Sequence, residues 1–154
     1  MNKDKKADSF VGILKKEDMM IGDSITSALY QKALDGTWQR QKATSNNIAN
    51  SETPGYKAIK VNFEDSLKAE VNKLQTTANT SGTGFLDKME SIQSIDNSNI
   101  NVYQGATTSR LDQNNVDMES ENIDMTKSVL QYNYLVRGVS DSYSRLKYAI
   151  NGGK

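Results

Sequence analysis

The sequence predicts a mainly α-helical protein in which long N- and C-terminal helices pair as a coiled coil beside a small, partly disordered α+β middle segment. Apolar residues recur every seven positions near the C-terminus, an N-terminal helical pattern stops at Pro54-Gly55, and a polar stretch separates the two. Of the 154 residues, 36% are hydrophobic, and the mean hydropathy is −0.68. This composition is too polar for one thick core, so we expect order to concentrate at the two ends.

The chain divides into three predicted parts. Residues 1–22 are a charged extension that we expect to be flexible; residues 23–50 and 117–150 form the paired helices; residues 51–116 hold the turn and the polar insert. The apolar patch from Phe10 to Leu14 is followed by more lysines and is too short to span a membrane, so a cleavable secretion signal is not expected.

The first helix is predicted over about residues 24–50, and it has two apolar stripes. One stripe, mostly of small residues, consists of Ile25, Leu29, Ala33, Gly36 and Ala43. The second stripe is offset from the first and consists of Leu34, Trp38 and Ile48. Glycine inside a helix costs about 1 kcal/mol relative to alanine. Gly36 here and Gly138 in the last helix therefore indicate either close helix packing or tolerated surface positions.

A turn ends this helix at "TPGY", because proline disfavours helical geometry in the residue before it and Gly55 accepts a positive φ. The alternation of Ile59, Val61 and Phe63 then predicts a short strand, and the spacing of Phe63, Leu67, Val71 and Leu74 predicts a helix. Farther along, "GFLDKMESIQSI" and "NINVYQG" are compatible with short strands or hairpins.

The last helix has a broad apolar face. Its heptad row is Met118, Met125, Tyr132, Val139 and Leu146, and a second row is Val129, Val136, Tyr143 and Ile150. Asn115 or Asp117 caps its start, and Glu119, Glu121 and Asp124 place negative charge at the positive end of the helix dipole. Lys127, Arg137, Ser144 and Lys147 form the opposite, solvent-compatible face. Because one partner helix cannot cover all the apolar residues, the excess favours an assembling subunit.

The composition argues against most enzyme classes and against nucleic-acid binding. There are 19 basic and 19 acidic residues, no cysteine and no histidine. The stretch "DQNNVDMESENI" fails as a calcium loop because its sixth position is Asp117 and its twelfth is Ile123. We therefore expect no catalytic residues, no metal and no cofactor.

Two motifs carry a resemblance to a known family. "NNIANSETPGYK" resembles the N-terminal signature of the bacterial flagellar rod and hook proteins, and "NNVDMESENIDMTKSVLQYNYLVRGVSDSYSRLKYAI" is similar to the C-terminus of their proximal rod members. The resemblance covers roughly residues 24–74 and 110–150. Family members usually read Asp-Gly-Asn-Asn before the last helix, and Gln113 in place of that glycine argues against a tight positive-φ turn. The first 20 or so residues exceed the family's usual length.

The resemblance implies a structural subunit of the proximal rod in the basal body, on the periplasmic side of the cell envelope, exported by the flagellar type III apparatus without a cleavable signal. The implied partners are the chain itself, other rod proteins, the export apparatus, and membrane-ring and rod-adaptor proteins of the FliF and FliE types, with no nucleic acid and no small-molecule substrate. Phe10 and Leu14 fit the Phe-x-x-x-apolar pattern of early export substrates.

The resemblance also implies which residues serve assembly. The heptad row forms the inner seam of the coiled coil, with Leu29 and Trp38 facing it. The turn is set by Asn47, Asn50, Pro54, Gly55 and Tyr56. Three alternatives remain open: another rod protein such as FlgC, a soluble helical adaptor or secreted effector, and an enzyme that uses tyrosine, carboxylate and lysine side chains.

Overall fold

The computed structural model describes the backbone of residues 4–79, 85–106 and 110–152, and the side chains of residues 24–76, 89–106 and 110–152. Its elements in chain order are α1 (Asp4–Ala49), β1 (Ile59–Asn62), α2 (Glu64–Asn79), α3 (Phe85–Asp96), β2 (Asn101–Gln104) and α4 (Met118–Ile150). The predicted fold class is confirmed, because the long terminal helices α1 and α4 pack against each other and the strands lie between them in sequence.

The first helix begins earlier than the sequence pattern predicts. Helix α1 starts at Asp4, about 20 residues before Ser24. The side chains of residues 1–23, including Phe10 and Leu14, lie outside the described residues. The flexible extension and the export pattern therefore remain predictions.

Helices α1 and α4 run antiparallel. Near the end of α1, Asn47 Nδ2 lies 3.1 Å from Glu121 Oε2 at the start of α4. Earlier in α1, Gln41 Nε2 donates to the Ser128 carbonyl at 3.2 Å, and Arg40 Nη1 donates to Gln131 Oε1 at 3.3 Å. Hydrogen bonds from long side chains therefore fix the register of the helix pair.

Small side chains fill the interior beside these bonds. Ala33, Thr37, Ala43 and Thr44 of α1 are buried, and Ser128 of α4 is also buried. The Thr37 hydroxyl donates to the Ala33 carbonyl one turn earlier, so it enters the interior with its hydrogen bond made within the helix. The predicted stripe of small residues is thus the packed face of α1.

The middle of the chain packs beside the helix pair, mainly against α1. Strand β1 pairs antiparallel with β2, from Ile59 opposite Gln104 to Asn62 opposite Asn101. Both the strand and the following helix α2 confirm the sequence prediction. Val61 and Phe63 are buried against Ala33 and Ala43, and the partly buried Ile59, Leu67, Ile100 and Leu135 surround this core.

Helix α3 corrects one of the open expectations. "GFLDKMESIQSI" is not a strand or hairpin, because Phe85–Asp96 is helical, whereas "NINVYQG" does contain a strand. Ile95 of α3 is fully buried. Lys32 Nζ donates to the Asp96 carbonyl at 2.7 Å, and Ser94 Oγ donates to Glu70 Oε2 at 2.7 Å. The segment is polar in composition, but α3 packs on α1 with Ile95 buried.

The two interior glycines mark close contacts. A Cβ atom at Gly36 would overlap the buried Phe63 ring, and one at Gly138 would lie 2.8 Å from ring atoms of Tyr30 and 2.9 Å from its hydroxyl oxygen. The interpretation of close packing is therefore correct at both positions. The consequences of the two contacts differ. Phe63 is buried in the core, whereas the Cβ at Gly138 would contact the outer end of the Tyr30 side chain.

We expect Gly36→Ala to lower the free energy of unfolding by about 1–3 kcal/mol, because the Phe63 ring has no room to retreat. Gly138→Ala is the matched control: the Tyr30 side chain can rotate away, and alanine favours the helix by up to about 1 kcal/mol. Urea unfolding followed by circular dichroism measures both. Equal effects of the two substitutions would contradict this account of the Gly36 contact.

Candidate functional site

The turn at Pro54 is held by the segment that precedes α4. Gly55 has a φ of 75°, and its N–H donates to the Asp112 carbonyl at 2.8 Å. Lys57 Nζ donates to the Gln113 carbonyl at 2.6 Å. We call residues 47–58 together with 110–117 the turn junction. It joins the two sequence motifs, which are more than 50 residues apart in the chain.

Asn47 lies at the centre of the turn junction and is fully buried. Its Nδ2 donates to the Ile59 carbonyl at 2.8 Å and to Glu121 Oε2 at 3.1 Å. Its Oδ1 accepts from the Ile59 N–H at 2.8 Å and from the Tyr56 hydroxyl at 3.2 Å. Two donors and two acceptor positions are satisfied, so one amide ties the end of α1 to the turn, to β1 and to α4.

Glu121 lies in the first turn of α4, as the sequence predicts, but it is also buried. Its side chain is only 2% exposed and, besides Asn47, receives Lys60 Nζ on Oε1 at 2.8 Å. Lys60 also lies 3.4 Å from Asp124. A buried carboxylate needs such partners, because an unpaired charge in the interior is strongly unfavourable. Glu121 is therefore a link between β1 and α4.

The charges in this network shift two pKa values. Burial alone would lower the pKa of Lys60, but its hydrogen bond to Glu121 and the negative charges of Glu121 and Asp124 outweigh burial and raise it. Burial, with the Glu121 charge, raises the pKa of Tyr56. Because the folded pKa of Lys60 is raised, its contribution to stability is present below its usual value of 10.5 and is lost as the pH rises through the folded pKa.

A second buried asparagine, Asn114, closes the turn junction from the other side. Its Nδ2 lies 2.9, 3.0 and 2.9 Å from the carbonyls of Asn50, Ser51 and Thr53, and its Oδ1 accepts from the Val116 N–H at 2.7 Å. These carbonyls lie where the chain leaves α1 and have no helical partner ahead of them. Asn114 therefore completes the end of α1 from a distant part of the sequence.

Asp112 fixes the approach to Asn114. Burial alone would raise the pKa of Asp112, but the Asn114 N–H on Oδ1 and the Arg110 guanidinium, 2.8 Å from Oδ2, outweigh it and lower the pKa below its usual 3.8. The stabilisation from these contacts is present above that value and is lost as the pH falls through the folded pKa. Arg110 also donates to the Ser51 carbonyl at 3.1 Å, which joins this charge pair to the end of α1.

The sequence argued against a positive-φ turn at Gln113, and that expectation is wrong. Among the described residues, Gln113 is the one non-glycine residue with a positive φ, 62°. Such a conformation costs a residue with a Cβ roughly 1–2 kcal/mol. The hydrogen bonds of Asp112, Asn114 and Lys57 on either side hold the backbone in it. The surrounding contacts thus keep the turn that a glycine would adopt without strain.

We predict that Gln113→Gly raises the free energy of unfolding by about 0.5–1 kcal/mol, because relief of strain exceeds the added freedom of the unfolded chain. Gly55→Ala should act in the opposite sense, since Gly55 also has a positive φ and alanine would be strained there. Thermal melting of the two variants and the parent chain measures both shifts. A lower melting temperature for Gln113→Gly would refute the strain at this position.

The start of α4 follows the prediction closely. Asp117 is the N-cap, and its side chain accepts from the N–H groups of Glu119 and Ser120 at 3.1 and 3.5 Å. Asn115, the other candidate, accepts from the Ala58 N–H at 2.6 Å and donates to the Gly105 carbonyl at 2.8 Å. Asn115 therefore serves the turn junction and Asp117 serves the helix.

The heptad row lies at the edge of the contact between α1 and α4. Glu121, Ser128 and Leu135 face α1, whereas Met125, Val139 and Leu146 are half-buried and Met118 and Tyr132 are exposed. The second row, Val129, Val136, Tyr143 and Ile150, is exposed throughout. Leu29 is half-buried, but Trp38 is 57% exposed, with Lys42 Nζ 5.5 Å from its ring centroid. Trp38 is therefore not part of the seam within its own chain.

A third apolar set on α4 has no counterpart in the sequence prediction. Ile123, Leu130, Tyr134 and Tyr148 are all exposed, Tyr134 by 72%, on the face expected to be polar. We call these four residues the outer row. The exposed Leu130 and Tyr134, at a spacing of four, were visible in the sequence, but the regular seven-residue repeat beside them was the stronger pattern.

The described residues contain neither a metal-binding cluster nor a membrane-spanning helix. Within residues 24–76, 89–106 and 110–152, no group of acidic side chains is arranged to hold a metal ion. In the same part of the chain, no helix has an apolar stretch of the length that a bilayer requires. What the described surface does present is apolar helix faces and the hydrogen-bonded turn junction.

Comparison with known proteins gives consistent matches. A sequence model of a family described as "Flagella basal body rod protein" matches residues 31–57, the second half of α1 and the turn. The flagellar basal body rod protein FlgB of Bacillus subtilis (strain 168) is 32% identical over 124 residues, covering 80% of this chain and 92% of its own. FlgB of Aquifex aeolicus (strain VF5) is 31% identical, covering 80% and 91%. FlgB of Escherichia coli (strain K12) is 28% identical, covering 85% and 98%.

Proposed function

Because this chain belongs to the FlgB family of flagellar basal body rod proteins, we propose that it is a structural subunit of the proximal rod of the bacterial flagellum. In this role it has no catalytic activity and binds no cofactor. It works by polymerising with neighbouring subunits through its terminal helices. From this role it follows that the protein acts in the basal body of the flagellum, in the cell envelope.

The observation that carries the proposal is the apolar surface of α4. The second row and the outer row are exposed in the single chain, and the heptad row is covered only in part. A monomer with so much exposed apolar surface on one helix gains free energy by burying it against neighbours, at about 25 cal/mol per Å² of apolar area. Repeated contacts of this kind along a helical path build a rod.

The turn junction gives the subunit its second property. It ends α1 abruptly and sends the chain away from the helix pair into β1, so that the strands and α2 lie beside α1 and leave α4 uncovered on its apolar faces. Asn47, with support from Asn50, Pro54, Gly55 and Tyr56, thereby keeps the middle segment out of the surface that contacts other subunits. The inner layer of the rod then consists of paired α1 and α4 helices from successive copies.

The finer partners follow from the family. Subunits pass through the flagellar type III export apparatus without a cleavable signal, with Phe10 and Leu14 as an export pattern. At the base they meet a rod-adaptor protein of the FliE type and the membrane ring of the FliF type, and farther out they meet other rod proteins. Apolar helix faces on the described part of the chain suit such protein contacts better than any charged ligand.

Electron cryotomography of the cell envelope tests the proposal. In a strain that lacks this gene, we expect membrane rings without a rod, hook or filament, and the restored gene should bring all three back. Complete flagella in the deletion strain would overturn the rod role and would favour a helical adaptor or a redundant rod protein.

A further inference from the structure

A groove opens on the side of the helix pair opposite the outer row. Its volume is about 370 Å³, and it lies where α1, α3 and α4 meet. Its apolar walls are Ala28, Ile92, Val139, Tyr143 and Leu146; the other described residues that line it are polar but uncharged. A groove of this kind is large enough to take bulky side chains from a neighbouring helix.

The groove and the outer row point in different directions. A helix turns about 100° per residue, so Tyr134 and Val139, five positions apart, lie about 140° apart around the axis of α4. The same counting places Leu130 about 160° from Leu146. One copy therefore cannot insert its outer row into its own groove, but it can present the outer row to a second copy while its groove receives a third.

The surrounding charges are complementary. The outer row is flanked on α4 by the exposed basic residues Lys127, Arg137 and Arg145, and one exposed acidic residue, Asp141, lies in line with it between Tyr134 and Tyr148. Lys127 lies 3.7 Å from Asp124. The groove continues past Ala28 and Ile92 into a neighbouring hollow lined by Glu90 and Asp96, which are also exposed. Three basic residues and one acidic residue give the outer row a net positive charge, and the acidic residues at the rim then favour docking in one orientation.

We propose that successive copies of this chain join by inserting the outer row of one copy into the groove of the next. This inference rests on the proposed function and specifies its subunit contact. Since the two surfaces are different and lie on opposite faces, the contact is heterologous: it does not close into a two-fold dimer and it continues into an open helical array. The second row borders the groove at Tyr143 and is covered by the same neighbour.

Cysteine cross-linking tests this contact directly, because the chain has no cysteine of its own. We would combine Tyr134→Cys with Ile92→Cys in the groove, and separately Leu130→Cys with Met89→Cys in the neighbouring hollow, in motile cells. Isolated flagellar bases are then treated with a short bismaleimide, which tolerates small shifts of register. The expected result is a ladder of dimers and higher multimers for at least one double variant, with each single-cysteine variant remaining monomeric.

Glu52→Cys combined with Ile92→Cys is the control, since Glu52 is exposed in the turn junction and belongs to neither surface. Dimers from Tyr134→Cys or Leu130→Cys alone would show a two-fold contact and overturn the inference. Monomers from both double variants in cells that still swim would also overturn it. Failure of the rod role itself is distinguishable, because complete flagella would then persist in the deletion strain.

Discussion

Replacing Val139 with aspartate should abolish rod assembly and swimming while the protein still accumulates in the cell. Val139 is half-buried at the edge of the contact between α1 and α4 and lines the groove. In the free chain a carboxylate there retains part of its hydration. Once a neighbouring helix covers it without a cationic partner, the loss of hydration costs several kcal/mol at each subunit contact. Repeated along a polymer, that cost prevents growth.

Gln75→Asp provides the matched control for this prediction, because it places the same charge at an exposed position of α2, outside the faces of α4 that are proposed to contact other subunits. Swimming in soft agar and electron cryotomography of the cell envelope report whether the rod is assembled, and immunoblots of whole cells report whether the protein is present. Together they separate loss of assembly from loss of protein. Normal motility of the Val139→Asp strain would remove this part of α4 from the assembly surface. Loss of the protein from the cell would instead place Val139 in the folding core.

Asn47→Ala should lower the free energy of unfolding by about 3–5 kcal/mol, the largest stability effect that we expect for a single substitution in this chain. The change removes both hydrogen bonds to the Ile59 backbone and leaves that partly buried N–H and carbonyl without this partner. It also takes one of the two partners from the buried Glu121 carboxylate and leaves Lys60 as its remaining contact. Because small domains are stable by only about 5–15 kcal/mol, a large fraction of the total would be lost.

Asn46→Ala is the control for this prediction, since the neighbouring asparagine is exposed and its substitution should change stability by less than about 0.5 kcal/mol. Urea unfolding of the purified chain, followed by circular dichroism and by tyrosine fluorescence, gives both values. A loss below about 1 kcal/mol for Asn47→Ala would mean that water or a shifted backbone replaces the amide. The turn junction would then be less dependent on this residue than its hydrogen bonds indicate.

The elements that could be predicted from the sequence are those whose signals are local. The seven-residue repeat of α4, the Asp117 cap, the turn at Pro54-Gly55 and the alternation of β1 all depend on neighbouring residues, and each is present in the structure. The two motifs that resemble the rod family are also local patterns. These patterns were sufficient to predict the fold class and the family, because helical periodicity and turn formation depend on residues that are close together in the sequence.

The partners of the buried polar groups could not be predicted in this way. The sequence indicated only that Glu121 adds negative charge to the first turns of α4, and packing against Asn47 and Lys60, at least 60 residues away in sequence, made it a buried link. The positive φ of Gln113 also depends on tertiary contacts. Its carbonyl accepts from Lys57, and the neighbouring Asp112 and Asn114 are hydrogen-bonded to each other, which together hold the backbone in this conformation. A polar residue can be buried wherever distant groups satisfy it, and the sequence does not state which groups those are.

The sequence by itself determined that the chain is built from two long helices and a turn, and that it has more apolar helix surface than one partner helix covers. Only the tertiary structure decided how that surface is divided: Ser128 and Leu135 face α1, the heptad row is half-covered, and the second and outer rows remain exposed. The physical reason is that helical periodicity fixes which residues share a face. Which face of α4 meets α1 depends on how closely the two helices approach and on hydrogen bonds between their small and polar residues. Those residues do not follow the periodic pattern of the apolar ones, so the pattern does not reveal them.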